Sequence, residues 1–404
     1  MIRQAILLCA VSALALASMP AHAALYSVKF CVDYSIDFDD ASGSVGDDFY
    51  TSNSDRTALG IRIKVMRNSD SHDMYFDHTD WSGADAGCTD SLVLDSTEDY
   101  TVSAQSRALV NGNYINVLDD DGTDNLYSHV EYLAFVPSSS TTITFDTAIA
   151  DQWNIAAAAG QAMSRRSAGL SGQNFDLYTQ ECPSTGSSCT SNSTGDVYLS
   201  TFGAEHKYVV VHELGHAMAY QSNGDSSASF SYGATLNSCY TDNTRNHEAN
   251  SKEYQSAAVN EGIAHYYAAI AFNNSAESSC GFAYYKTTDW DLDTVTDATN
   301  VSCESGPIAG VDNADYLGDW CTGTLTNRAV EWDWLRFFWD LDTDQSVTTT
   351  TIFEIWDDAN PNSWNSTGDS TGSNYPSTRM RDAANTNGVL TEWDNEDNTN
   401  GVQR

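Results

Sequence analysis

The run Val209-Val210-Val211-His212-Glu213-Leu214-Gly215-His216-Ala217-Met218 constrains this chain more than any other stretch. Its apolar residues continue without a turn signal, so the segment reads as a buried helix over roughly 204–221. On a helix, residues four apart fall about 40° from one another and roughly 6 Å along the axis. His212 and His216 therefore turn their imidazoles to one side, where both can grip a single Zn2+. Glu213 stands beside the first of them, placed to take a proton from water. Without a metal, the same five residues are two unrelated histidines and an exposed glutamate. A third ligand decides between these readings.

A catalytic zinc takes three protein ligands. The next segment of suitable character is Ala257-Ala258-Val259-Asn260-Glu261-Gly262-Ile263-Ala264-His265-Tyr266-Tyr267-Ala268-Ala269-Ile270. It reads as a second buried helix, with Val259, Ile263, Tyr266, Tyr267 and Ile270 on apolar faces. A carboxylate inside such a helix is costly unless something pairs with it, and a metal supplies that pairing. Glu261 lies 45 positions past His216, which leaves room for one loop and a return helix.

His212-Glu213-Leu214-Gly215-His216 followed by Asn260-Glu261-Gly262-Ile263-Ala264 resembles the gluzincin branch of the zinc metallopeptidases. The second motif is similar to that of the aminopeptidases of this branch, and its Asn-Glu is shared with thermolysin-like enzymes. The resemblance covers these two helices only. It implies that His212, His216 and Glu261 ligate Zn2+, that Glu213 is the general base, and that protein or peptide substrates are hydrolysed. The branch with a third histidine is disfavoured, because the Gly and His it needs would fall at Ala219 and Ser222. Thermolysin-like enzymes carry an aspartate four residues after the third ligand, where this chain has His265. That histidine shares a helical face with Glu261 and is either a hydrogen-bonding partner of the ligands or a packed aromatic. The interval between the motifs is longer than in the aminopeptidases, and no glycine-rich anchor precedes the zinc helix, which favours an endopeptidase. Relatives stabilise the oxyanion with a tyrosine or histidine downstream. Here the candidates are Tyr284, Tyr285, Tyr316 and His247, although in a chain with so many tyrosines packing is the default role for any one of them.

Two other functions stay open. One is a secreted binding or adhesion protein whose peptidase-like domain has no turnover; the intact Glu213 speaks against it. The other is a zinc hydrolase acting on a non-peptide bond, such as an epoxide or lipid ester, and the ligand set alone does not choose.

Residues 1–23 read as an export signal: Arg3 is basic, Ile6 to Ala17 is apolar, and Ala21-His22-Ala23 is a small-x-small cleavage site. Helix-length apolar runs are absent elsewhere, so no membrane span is expected. Cys9 leaves with the signal, and eight of the nine cysteines remain: Cys31, Cys88, Cys182, Cys189, Cys239, Cys280, Cys303 and Cys321. An even number in an exported chain points to disulfides, most simply between neighbours, 31–88, 182–189, 239–280 and 303–321. The setting is secreted and extracellular, or periplasmic in a bacterium.

Asp and Glu number 56 against 18 Lys and Arg, a net charge of -38 that repels nucleic acid and anionic membranes. Alternating aspartates at Asp289-Asp291-Asp293 and Asp340-Asp342-Asp344, and the cluster Asp119-Asp120-Asp121-Asp124, offer oxygens of the kind Ca2+ takes. None completes a calcium loop, and solvated turns are the default reading. Oligomeric state leaves no mark in the sequence.

The fold class is α+β. Residues 24–145 alternate in short runs separated by turns, as in an antiparallel β-sandwich serving as an accessory or pro-domain. A polar linker is expected at 137–142. Residues 146–404 then form a zincin-like metallopeptidase domain, mostly helical with a small sheet. It holds a helix over 148–167, with Arg165-Arg166 as surface charge, and short strands at 175–178 and 196–199. One of these strands is expected to be the edge that holds extended substrate. An aromatic helix over 327–341 reads as core, 352–358 as a further helix, 360–388 as an irregular loop, and the end after Trp393 as frayed.

Overall fold

The computed structural model describes residues 23–34, 58–119, 128–147, 151–183, 186–204, 206–227, 230, 251–272, 317–318, 321, 323, 326–364 and 375–402. Period-two burial organises the first half. In β2 (Ile61–Arg67), Ile61, Ile63 and Val65 are buried while Arg62 and Lys64 are not. β5 (Tyr100–Val110) and β6 (Asn113–Leu118) repeat the pattern with Val102, Ala104, Ala108, Val110, Ile115 and Val117. One apolar face is what a sheet needs when a single side meets the core.

With β3 (His72–His78), β7 (Ser128–Phe135), β9 (Asn174–Tyr178), β10 (Cys189–Thr190) and β11 (Val197–Tyr198), these strands build an eight-stranded open sheet. Its order is β10-β11-β9-β6-β5-β2-β3, and β7 also pairs with β5. A three-stranded sheet, β4-β1-β8, joins β1 (Leu25–Tyr34), β4 (Leu92–Asp95) and β8 (Thr141–Thr147). The fold is α+β, as the sequence suggested.

Antiparallel pairing holds for β1–β4, β2–β3, β2–β5, β5–β6 and β5–β7, but β1–β8 is parallel. The expected linker at 137–142 runs into β8, which turns Phe145 into the core and pairs with β1 from Val28 to Tyr34. Such a pairing partner lies too far along the chain for local pattern to reveal. The large sheet also continues past residue 145, because β6 pairs in parallel with β9, and β9 with β11. One buried cluster runs from Val28 and Phe30 through Trp153 to Trp393 and Val402.

Helix α1 (Asp151–Arg165) lies between this sheet and the site helices, packing on β5 and β6, on the short α2 (Thr201–Ala204) and on α3 (Lys207–Ser222). Its side chains from Trp153 to Met163 are buried, and a run of small alanines permits that closeness. Arg165 Nη1 donates to the Ala271 carbonyl at 3.1 Å, capping α4 (Gln255–Phe272), so it is a helix-end tie and not plain surface charge.

Helix α4 is central. It packs on α3 and on α5 (Glu331–Thr343), and a glycine marks each contact. A Cβ on Gly215 of α3 would sit 2.9 Å from Ala264 Cα, and one on Gly262 of α4 would strike Trp334 Cβ. Both glycines are therefore required by close approach. Trp332, Trp334, Phe337, Phe338 and Trp339 of α5 are core residues.

Two C-terminal expectations are corrected. Within 360–388 stands helix α7 (Pro376–Thr386), following α6 (Thr349–Asp358); proline opens α7, and Met380, Ala383 and Ala384 form a buried stripe. The tail is helix α8 (Leu390–Asn400), fixed by buried Trp393, whose ring centroid lies 4.5 Å from that of Phe337. A bidentate pair, Arg381 Nε to Asp394 Oδ1 at 2.6 Å and Nη2 to Oδ2 at 2.7 Å, ties α7 to α8.

The Asp340-Asp342-Asp344 run ends α5 and ties helices together. Asp342 Oδ2 accepts from Tyr266 at 2.6 Å and Thr349 at 3.0 Å, and Asp340 Oδ2 accepts from Asn400 at 2.9 Å. Asp120, Asp121, Asp124, Asp289, Asp291 and Asp293 lie outside the described residues.

Disulfides join Cys31 to Cys88 and Cys182 to Cys189, and Cys321 is disulfide-bonded too. Cys239, Cys280 and Cys303 lie outside the described residues, as do residues 1–22 of the expected signal. Among the described residues, no helix is long and apolar enough to cross a membrane.

Two measurements test this packing. Gly262→Ala should destabilise the protein by about 1–3 kcal/mol through overpacking against Trp334, read in thermal melts; an unchanged melting temperature contradicts it. Burial pushes the Asp340 carboxyl up to about 7, so the folded chain prefers it protonated. Its stabilising contribution is complete below the unfolded carboxylate range and is lost as pH rises through about 7. Asp340→Asn should therefore gain stability over the wild type between mildly acidic and mildly alkaline buffer; a pH-independent difference would exclude this.

Candidate metal centre

One helical turn of α3 separates His212 from His216, and the turn brings their Nε2 atoms to 3.2 Å. Their rings stand nearly perpendicular, at 88°, with the two Nε2 edges adjacent. Glu261 reaches this pair from α4. Its Oε2 lies 3.2 Å from His212 Nε2 and 3.0 Å from His216 Nε2. Ligands held tetrahedrally at about 2.0–2.1 Å from zinc stand roughly 3.3 Å apart. The triangle has nearly those edges.

Burial grades the three. Glu261 is 2% exposed, while the side chains of His212 and His216 are each 13% exposed. Burial first, and the neighbouring His265 second, push His212 down to about 3, against the pull of Glu261. A neutral imidazole with a lone pair is the form that binds metal. The Asn260 side-chain amide lies 3.4 Å from His216 Nδ1, on the far edge of that ring.

Glu213 follows His212 on α3 and is buried. The Thr190 hydroxyl of β10 sits 2.7 Å from the Glu213 carbonyl oxygen and 3.0 Å from its Oε2. The neighbouring Cys189 is bonded to Cys182, which anchors this short strand. Among the described residues β10 is the terminal strand of the sheet. The strands nominated as the edge lie inside it: β9 runs between β11 and β6, and β11 between β10 and β9.

His265 packs its ring on His212 with centroids 4.2 Å apart, and its Nε2 lies 2.9 Å from Glu331 Oε2. The packed-aromatic reading describes its place against His212, while its Nε2 meets Glu331 rather than His212, His216 or Glu261. His212, Glu261 and His265 place ligand atoms within 4.8 Å of one another and could hold a metal ion. His216 makes the tighter set with His212 and Glu261, and its side chain is less buried than His265, whose Nε2 already meets Glu331. Among the described residues no other group of three such side chains gathers in this way.

Tyr284, Tyr285, Tyr316 and His247 lie outside the described residues. Thr190 and Glu331 escaped the sequence reading. Thr190 carried no signal beyond its neighbour Cys189, whereas Glu331 was visible as a carboxylate opening an aromatic, core-forming helix. Compared with known proteins, the chain matches no family model and no curated sequence.

Elemental analysis of the purified protein gives the direct check. One divalent ion per chain is expected in the wild type and close to none in Glu261→Ala; equal metal in both would remove Glu261 from the centre.

Proposed function

We propose that this chain is an exported zinc metallopeptidase of gluzincin type, acting as an endopeptidase. The observation that carries the proposal is the triangle of His212 Nε2, His216 Nε2 and Glu261 Oε2 with edges of 3.0–3.2 Å, beside a buried glutamate. Two imidazoles and one carboxylate are a donor set that suits zinc, and the partly exposed histidines leave a side for substrate. Zn2+ bound there supplies Lewis acidity toward a carbonyl and toward water.

Glu213 then accepts the proton of the attacking water and delivers it to the departing amine. The Thr190 hydroxyl, 3.0 Å from Glu213 Oε2, restrains that carboxylate beside the triangle. β10 supplies a sheet terminus beside Glu213, and an extended peptide pairing with it would run past the triangle. A zincin-like catalytic unit and secretion belong to the same reading, with the N-terminal strands sharing a sheet with that unit through the β6–β9 pairing. The two disulfides support an oxidising compartment.

The test is a cleavage assay on a protein substrate with metal analysis alongside. Glu213→Gln should keep its zinc and lose hydrolysis by about 2–4 orders of magnitude, the range for a general base. A variant with full activity removes Glu213 from the mechanism, and a wild type that binds zinc but cleaves no peptide bond overturns the peptidase assignment.

A further inference from the structure

We infer that Glu331 is a positioning residue for His212, acting through His265; this rests on the metallopeptidase reading above. Glu331 opens α5, where the positive end of the helix dipole favours a carboxylate. It is fully buried, and His265 is 1% exposed. Their contact, His265 Nε2 to Glu331 Oε2 at 2.9 Å, joins α5 to α4 across 66 positions of sequence. A hydrogen bond to a carboxylate at this depth holds the imidazole in the rotamer that makes it, because any other gives up that buried contact.

The other face of His265 carries the effect onward. Its ring lies against that of His212, with centroids 4.2 Å apart and planes inclined by 41°. His212 Nδ1 is buried and has no hydrogen-bond partner among the described residues. A metal-binding histidine is ordinarily oriented by a hydrogen bond at its second nitrogen. In His212 the packing of neighbouring rings does that: His265 on its face, and His216 edge-on at 88°. The plane of His212, and hence the aim of its Nε2, depends on where His265 stands. Glu331 decides where His265 stands.

The backbone is arranged to allow this. A Cβ on Gly262 would meet the Glu331 carbonyl oxygen at 3.3 Å as well as Trp334, so the absent side chain lets the first turn of α5 settle on α4 one turn from His265. His265 and Glu331 would otherwise be a stitch between two helices with no bearing on the metal. The two roles separate experimentally, since a stitch affects melting and a positioning pair affects the affinity of the folded protein for metal.

The experiment is zinc affinity of the full chain, measured by competition with a chromophoric chelator, together with melting of the metal-free protein. Glu331→Met, which removes the acceptor at similar volume, should weaken zinc binding by about 10–100-fold. Glu331→Gln, which keeps an acceptor for the His265 N–H, should recover most of that loss. His265→Ala should weaken binding by a similar factor, and the double variant Glu331→Met/His265→Ala by no more than the larger single loss. Wild-type zinc affinity in either folded single variant, or losses that multiply in the double variant, would overturn the inference. Glu261→Ala in the same assay keeps the two claims apart. If the wild type itself binds no zinc, the metallopeptidase reading fails; if zinc binding needs Glu261 but ignores Glu331, only the positioning role fails.

Discussion

Glu261 is a carboxylate removed from water in the middle of a helix whose neighbours are alanine, valine, isoleucine and tyrosine. Holding an ionised group there costs several kcal/mol unless it is compensated. The compensation within reach is the pair of imidazole edges on α3, and the two helices must approach closely for it to operate. Gly215 against Ala264 provides that approach. The same device recurs at Gly262, which admits α5 and with it Glu331. Three helices and two glycines thus converge on one polar cluster inside an apolar core.

The sheet serves this arrangement from one side. α1 fills the space between β5, β6 and α3 with small side chains, so α3 is held against the sheet layer. The sheet then extends through β9 and β11 to β10, where Thr190 reaches Glu213. A strand that touches the proposed base is fixed by the Cys182–Cys189 disulfide and by pairing with β11. Acidic side chains elsewhere, Asp340 and Asp342 among them, are used to join the C-terminal helices to this core.

Local pattern made much of this legible. Helices α3 and α4 were readable because their apolar residues run on at helical length without a turn signal, α1 and α5 because theirs cluster on one face, and β2 and β6 because theirs alternate. His212 and His216 could be nominated because spacing on a helix fixes direction, and Glu261 because a carboxylate inside an apolar helix calls for a partner. What escaped depends on long-range partners. β8 is a strand because β1 receives it, and α7 holds its Met380-Ala383-Ala384 stripe inside a stretch dominated by polar residues. Thr190 and Glu331 matter only through where distant segments meet, which no window of sequence contains. His265 was seen as an oddity of position, yet its partner lay on another helix.

The central claim is that His212, His216 and Glu261 share one metal ion. Anomalous diffraction from crystals grown with zinc, collected on either side of the zinc absorption edge, tests it most directly. The account predicts a peak at bonding distance from His212 Nε2, His216 Nε2 and a Glu261 carboxylate oxygen together. A peak bound elsewhere, with these three side chains left facing one another without metal, would contradict it.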